Sequence, residues 1–210
     1  MKTLALLFAV LAAIFVWHYA HRPITYPPGV LISSEPEQTS TTDAPITRGN
    51  FNLKPLAHLA LDARVLHRKI YRYDRQAALV PIDLALGWGS MSDQRVLDRI
   101  TITQSMRFYW FEYKLPLPIS KEEIIAHSTN MHIIPSTPAI ATKCKSLRTG
   151  TLVHLDGDLV EATAPNFSAW RSSLTRTDTG NGACELIWLK ELSVLPSTAD
   201  PQHRAALVNR

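Results

Sequence analysis

The chain has 210 residues, 46% of them hydrophobic and 19% charged, with a formal net charge of +4. That length accommodates one ordinary domain with appendages and excludes two full ones. The surplus of 22 Lys and Arg over 18 Asp and Glu is too small and too scattered to mark a nucleic-acid protein, and neither end carries a block of like charge.

The N-terminus, MKTLALLFAVLAAIFVWHYAHR, sets Lys2 ahead of an uncharged, mostly apolar run over residues 4–20. At about 1.5 Å per residue such a run approaches the thickness of a bilayer core. Trp17 and Tyr19 suit an interfacial aromatic belt, and the end of the run lacks the small residues of a signal-peptide cleavage site. The expectation is one uncleaved transmembrane anchor at residues 1–22, its bilayer partner contacted through residues 4–20. The remainder would then lie on the periplasmic or extracytoplasmic side of the inner membrane. Residues 23–50, PITYPPGVLISSEPEQTSTTDAPITRGN, are rich in Pro, Ser and Thr and read as a flexible linker. Residues 51–195 form the folded domain, and residues 196–210 read as a loose tail.

Within the domain, Leu61, Ala63 and Val65 alternate with Asp62 and Arg64, which predicts a strand across residues 59–73. Ser92 is placed to cap a short helix over residues 93–99, after a turn at Gly87-Trp88-Gly89. The β-branched and aromatic stretch TITQSMRFYWFEY, residues 101–113, predicts one strand. Ser120 and Glu123 make a capping box for a helix over residues 121–127, and Pro138 at a first helical position predicts another ending near Leu147. In GTLVHLDGDLVEATA, Val153, Leu155, Gly157 and Leu159 share one face of a strand in which Gly157 permits a kink or bulge.

The stretch RSSLTRTDTGNGACELIW, residues 171–188, contains an aspartic-protease triplet at Asp178, Thr179 and Gly180. That chemistry needs a second aspartate sharing one proton. No second copy exists, and Arg176 and Thr177 stand where apolar strand residues would be required. Asp, Asn and two glycines between strand-like residues 170–174 and 183–189 read instead as a hairpin loop. Cys144 and Cys184 are the only cysteines. A disulfide between them would close a loop of about 40 residues and stabilise by roughly 4 kcal/mol in an oxidising compartment. The alternatives are a small buried hydrophobe at Cys184 and an exposed thiol at Cys144. A catalytic thiol at Cys184 has no imidazole in a local motif.

AHSTNMHIIP holds His127 and His132, which a loop could bring to one metal with Glu123 or Asp83 as third ligand. The plainer reading is a helix end with His127 near its last carbonyls. Trp88 in LALGWGSMSD offers an aromatic ligand platform or a buried turn anchor. Arg171 and Arg176 offer a basic ligand-binding face or ordinary solvated surface.

The blocks LALGWGSMSD (residues 84–93) and RSSLTRTDTGNGACELIW resemble a family of uncharacterised bacterial proteins with an N-terminal membrane segment, over most of the chain from Phe51 onward. The resemblance implies an exported or membrane-bound location and assigns no catalytic residues. Residues 150–160 are separately similar to the Gly-kinked strands of small OB-like barrels.

The expected architecture is a single compact α+β domain behind one transmembrane helix. It would hold short helices and either a curved antiparallel sheet or a small, partly open β-barrel of OB-like form. The expected role is a non-enzymatic binding or accessory module of the cell envelope, with a protein partner there and no cofactor. The rivals are a metal-dependent hydrolase using His127 and His132, and an OB-like nucleic-acid binder that requires a cytoplasmic domain.

Overall fold

The computed structural model describes residues 2–20, 22–175, 178, 180 and 182–196. Helix α1 spans Lys2–Ala20, yet among the described residues no helix is long and apolar enough to cross a membrane. This overturns the expected transmembrane anchor, and with it the single-pass and signal-anchor assignment. The uncharged run of residues 4–20 measures roughly 25 Å as a helix, short of ~30 Å of hydrocarbon, and it ends on the less apolar Trp17, His18 and Tyr19.

The domain is built around one long strand. β3 (Phe51–Ile70) has 20 residues. It pairs along residues 52–64 with β8 (Leu152–Ala164) and along residues 64–70 with β4 (Ile82–Gly87). Register shifts at Pro55/Ala57 and Val65/His67 bend it between these partners, as bulges do. β4 pairs antiparallel with β7 (Ser128–Pro135), β7 runs parallel to β10 (Glu185–Val194), and β10 returns antiparallel to β8. Because β8 also pairs with β3, five strands close in the order β3-β4-β7-β10-β8. This is the connectivity of a five-stranded Greek-key barrel of OB type. The sheet is mixed where an antiparallel one was expected, because β10 inserts between β7 and β8 and runs alongside β7.

Period-2 alternation fills the barrel. Ile82, Leu84 and Leu86 of β4, Met131 and Ile133 of β7, Val153, Leu155 and Leu159 of β8, and Ile187 and Leu189 of β10 are all buried in one core cluster, each contributing on the order of 2 kcal/mol. Gly157 faces the irregularity of β10 between Leu189 and Glu191.

Shorter elements decorate this frame. β1 (Glu37–Thr39) and β2 (Ile46–Arg48) pair with β3, and β9 (Phe167–Arg171) extends β8. Helices α2 (Gln94–Leu97), α3 (Lys121–Ala126) and α4 (Pro138–Ser146) are short. Ser120 Oγ accepts from Glu123 N at 3.0 Å to start α3, and Thr137 Oγ1 accepts from Ile140 N at 3.2 Å to start α4. Asp93, not Ser92, caps α2. Ser92 is occupied elsewhere: its Oγ accepts from Leu31 N (3.0 Å) and Ile32 N (3.1 Å).

Those last contacts show that the expected linker is docked. Gly29 N donates to Asp93 Oδ1 (3.0 Å), and Trp88 Nε1 donates to Glu35 Oε2 (2.9 Å). Buried Arg64 reaches the carbonyls of Ile24 and Ser92. Pro-rich composition removed helix and strand periodicity from residues 23–36 without removing partners for their backbone.

Two further expectations change. The stretch 101–113 is two strands, β5 (Ile100–Ser105) and β6 (Phe108–Tyr113), paired as a separate two-stranded sheet. The turn between them is Met106-Arg107, both at positive φ, a pair carrying none of the usual turn residues. The segments around residues 171–188 do not form a hairpin. β9 pairs with β8 and β10 pairs with β7 and β8; one backbone bond, Ser173 N to Cys184 O at 3.2 Å, joins the two segments, and residues 176, 177, 179 and 181 of the expected loop lie outside the described residues.

Candidate functional site

Because Ile82, Leu84 and Leu86 point inward, alternation turns Asp83 and Ala85 to the outside of the barrel. The same rule turns out Asn130 and His132 of β7. The β4–β7 register sets Asp83 opposite His132 and Ala85 opposite Asn130. Two strands with apolar inner faces thus place a polar row on their outer face, and the row is buried: Asp83 0%, Asn130 1% and His132 3% exposed.

The cover is the β5–β6 hairpin. One of its faces, carrying Tyr109, Phe111 and Tyr113, packs with Ile100 and Ile102 against Ala85, Leu66 and Ile124. At its tip Arg107 inserts its guanidinium over the row. Nη1 donates to Asp83 Oδ1 (3.2 Å) and Val80 O (2.8 Å), and Nη2 to Asp74 Oδ1 (2.7 Å). The guanidinium carbon lies 3.6 Å from the Tyr71 ring centroid, a cation–π contact. Burial, with Asp83 adding, pushes the Tyr71 hydroxyl up to about 12, opposed by hydrogen bonding and charge from Arg107. Asn130 Nδ2 donates to Arg107 O (2.9 Å), and Asn130 Oδ1 accepts from Gln104 Nε2 (2.6 Å). Strands 26 residues apart in sequence are tied through this amide pair.

His132 Nδ1–H donates to Asp83 Oδ1 at 2.9 Å, and its ring meets Trp170 edge-on at 4.7 Å between centroids. Asp83 Oδ2 has no hydrogen-bond partner among the described residues. The carboxylate fixes the imidazole tautomer and leaves Nε2 as the open nitrogen.

Two cavities flank this construction and share Phe108 and Cys184. The first, about 180 Å³, lies between the hairpin and the 172–184 crossover. Phe108, Tyr109, Phe111 and Ile125 form its apolar wall. Ser128, Thr129 and Asn130 from the start of β7 form a polar floor, and Asp178, Ala183 and Cys184 complete the lining. The floor is internally bonded: Tyr109 OH and Ser128 Oγ lie 3.1 Å apart, Ser128 Oγ donates to Ile124 O, and Thr129 Oγ1 donates to Glu185. Burial raises the Tyr109 hydroxyl above its ordinary value, opposed by the Ser128 hydrogen bond. The second cavity, about 240 Å³, is lined by Gln76, Met106, Arg107, His132, Trp170 and Cys184 among others.

The predicted site residues are dispersed. His132 stands in the buried row, whereas His127 precedes β7, with Nδ1 bonded to Glu123 O and Nε2 3.5 Å from Glu35. At about 3.3 Å per strand residue the two histidines are roughly 15 Å apart, too far to share a metal. No group of three or more metal-ligating side chains occurs among the described residues. Trp88 is 1% exposed, buried in the barrel core as a turn anchor for the docked segment. Arg171 is an exposed partner of Glu161 at 3.2 Å, and Arg176 lies outside the described residues. Cys144 and Cys184 are both free thiols, Cys144 on the face of α4 that is buried against the barrel core and Cys184 half-buried at the cavities.

Arg107, Tyr109 and Phe111 were missed as site residues. A usable signal was present: polar Asp83, Asn130 and His132 at alternate positions of apolar strands mark a non-core face that something must cover. Comparison of the chain with protein-family models, with curated proteins and with solved structures finds no match in any of the three.

Proposed function

We propose that this domain is a binding module whose ligand seat is the cavity between the β5–β6 hairpin and the 172–184 crossover. It takes a small neutral aromatic group, or an aromatic side chain presented by a partner. One observation carries the reading: three aromatic rings and a short row of hydroxyl and amide groups line one concave site. That composition suits orientation of an apolar ligand by a few hydrogen bonds. The reading keeps the expected binding role and drops its tie to a spanning anchor. An oligonucleotide groove would need an open, cationic face, whereas here Arg107 is spent on Asp83 and Asp74. The barrel topology by itself assigns no activity.

Titration of isotope-labelled protein with phenol and indole tests this. Saturable shifts are expected at Phe111, Ser128, Asn130 and Cys184, with dissociation constants on the order of 1 mM, as befits so few ligand atoms. Ala183→Trp fills the space and should abolish them. Shifts that do not saturate, or that persist in Ala183→Trp, contradict the assignment.

A further inference from the structure

We propose that Cys184 is a reactive thiol that exchanges with low-molecular-weight disulfides, with His132 as its base and Asp83 as the residue that positions that base. The proposal is independent of the aromatic ligand seat, since it needs only the second cavity and the outer face of β7 and β10.

Cys184 immediately precedes β10, and the parallel register sets Leu186 against His132. Cys184 therefore falls opposite Asn130 and diagonal to His132 on one face, a spacing of roughly 7 Å that longer side chains bridge. The placement opposite Asn130 is visible directly, because Asn130 Nδ2 lies 3.6 Å from Cys184 Sγ. His132 and Cys184 line the same cavity of about 240 Å³. His132 is 3% exposed, its Nδ1 is committed to Asp83, and its Nε2 has no partner among the described residues. Among the described residues, the other charged or titratable groups around the pair are Arg107 from the hairpin tip, Tyr109 from β6, Tyr71 and Asp74 from the β3–β4 connection, Glu185 from β10 and Asp178 from the crossover.

Burial, with Glu185, Asp83 and Asp178 adding and the Asn130 hydrogen bond opposing, pushes the Cys184 thiol up to about 11. Left to itself it would be inert at neutral pH, so any reactivity there has to come from a neighbouring base. Exchange fits the donor set better than acyl transfer. An oxyanion needs preorganised N–H donors, and the amide at Sγ already donates to Arg107 O. In the step, His132 Nε2 takes the Sγ proton and the thiolate attacks one sulfur of R–S–S–R. The Cys184–S bond forms as the old S–S bond breaks, and the departing R–S⁻ takes the proton from the imidazolium as R–SH.

The test uses the full chain carrying Cys144→Ala and bis(2-hydroxyethyl) disulfide, with mass spectrometry reading the adduct. Expected is a single adduct at Cys184 at neutral pH, formed at a rate that levels off as pH rises. In His132→Gln the rate should fall at least tenfold and climb with pH without levelling. Asp83→Asn should also slow it, with folding of each variant checked by circular dichroism. A rate in the parent protein that climbs tenfold per pH unit through pH ~9 marks a plain buried thiol and overturns the proposal even if the His132 variant does not fold. So does an unchanged rate in folded His132→Gln, or no adduct at neutral pH.

Discussion

Single residues carry much of this fold through what they lack or accept. Gly157 leaves room for the Trp188 carbonyl, which would stand 2.3 Å from an added Cβ. Gly157→Ala therefore forces β8 and β10 apart and should cost more than ~2 kcal/mol. A thermal midpoint unchanged from the parent would refute that close approach. Asp93 anchors both α2 and the docked segment. The Arg95 guanidinium, helped by the Gly29 and Arg95 backbone N–H groups against the desolvation of the carboxyl, holds it down to about 2, below the usual value near ~4. A depressed carboxyl contributes stability that is present above the unfolded value and lost as pH falls through the folded one. The loss should fall between pH ~4 and ~2, and Asp93→Asn should flatten the stability–pH curve across that window. An acid limb of unchanged slope would assign the loss to other carboxyls.

At the level of elements, the β5–β6 hairpin is the least conventional part. It shares no strand pairing with the barrel, and its two-residue turn holds Met106 at φ 49° and Arg107 at φ 71°. Residues with a Cβ adopt that geometry at a cost of about 1 kcal/mol each. The offset comes from Arg107, whose guanidinium neutralises fully buried Asp83. Arg107→Ala should destabilise by ~3 kcal/mol, because it strands that carboxylate without its cation. It should also raise amide exchange of β5 and β6 above that of the barrel strands. Met106, 79% exposed, has only the backbone cost, so Met106→Gly should stabilise by about 0.5–1 kcal/mol. If the Gly variant melts lower and the Ala variant melts unchanged, the tip does not act as a latch.

For the whole molecule, the features legible in the sequence were the local ones. The Ser120 and Thr137-Pro138 starts gave α3 and α4 to within a residue or so, and alternation in Leu61, Ala63 and Val65 and in Val153, Leu155 and Leu159 placed true core positions. The features that escaped are long-range. Asp83 and His132 lie 49 residues apart, and Trp88 meets Glu35 across 53. No periodicity in either segment reports the other. The turn at Met106-Arg107 was illegible because it is stabilised by Arg107's distant partners and not by its own propensity. The apolar N-terminal run misled for a different reason: composition signals hydrophobicity, while spanning also demands length. The same barrel closure that hides the pairings produces the site, since it brings the start of β7, the start of β10 and the crossover together under one aromatic hairpin. The most direct test of that seat is a search for intermolecular nuclear Overhauser effects from the methyl group of bound 4-methylphenol. Contacts to the Phe111 ring and the Ala183 methyl, absent in Ala183→Trp, are the predicted result; contacts elsewhere on the barrel with none to Phe111 or Ala183 would contradict it.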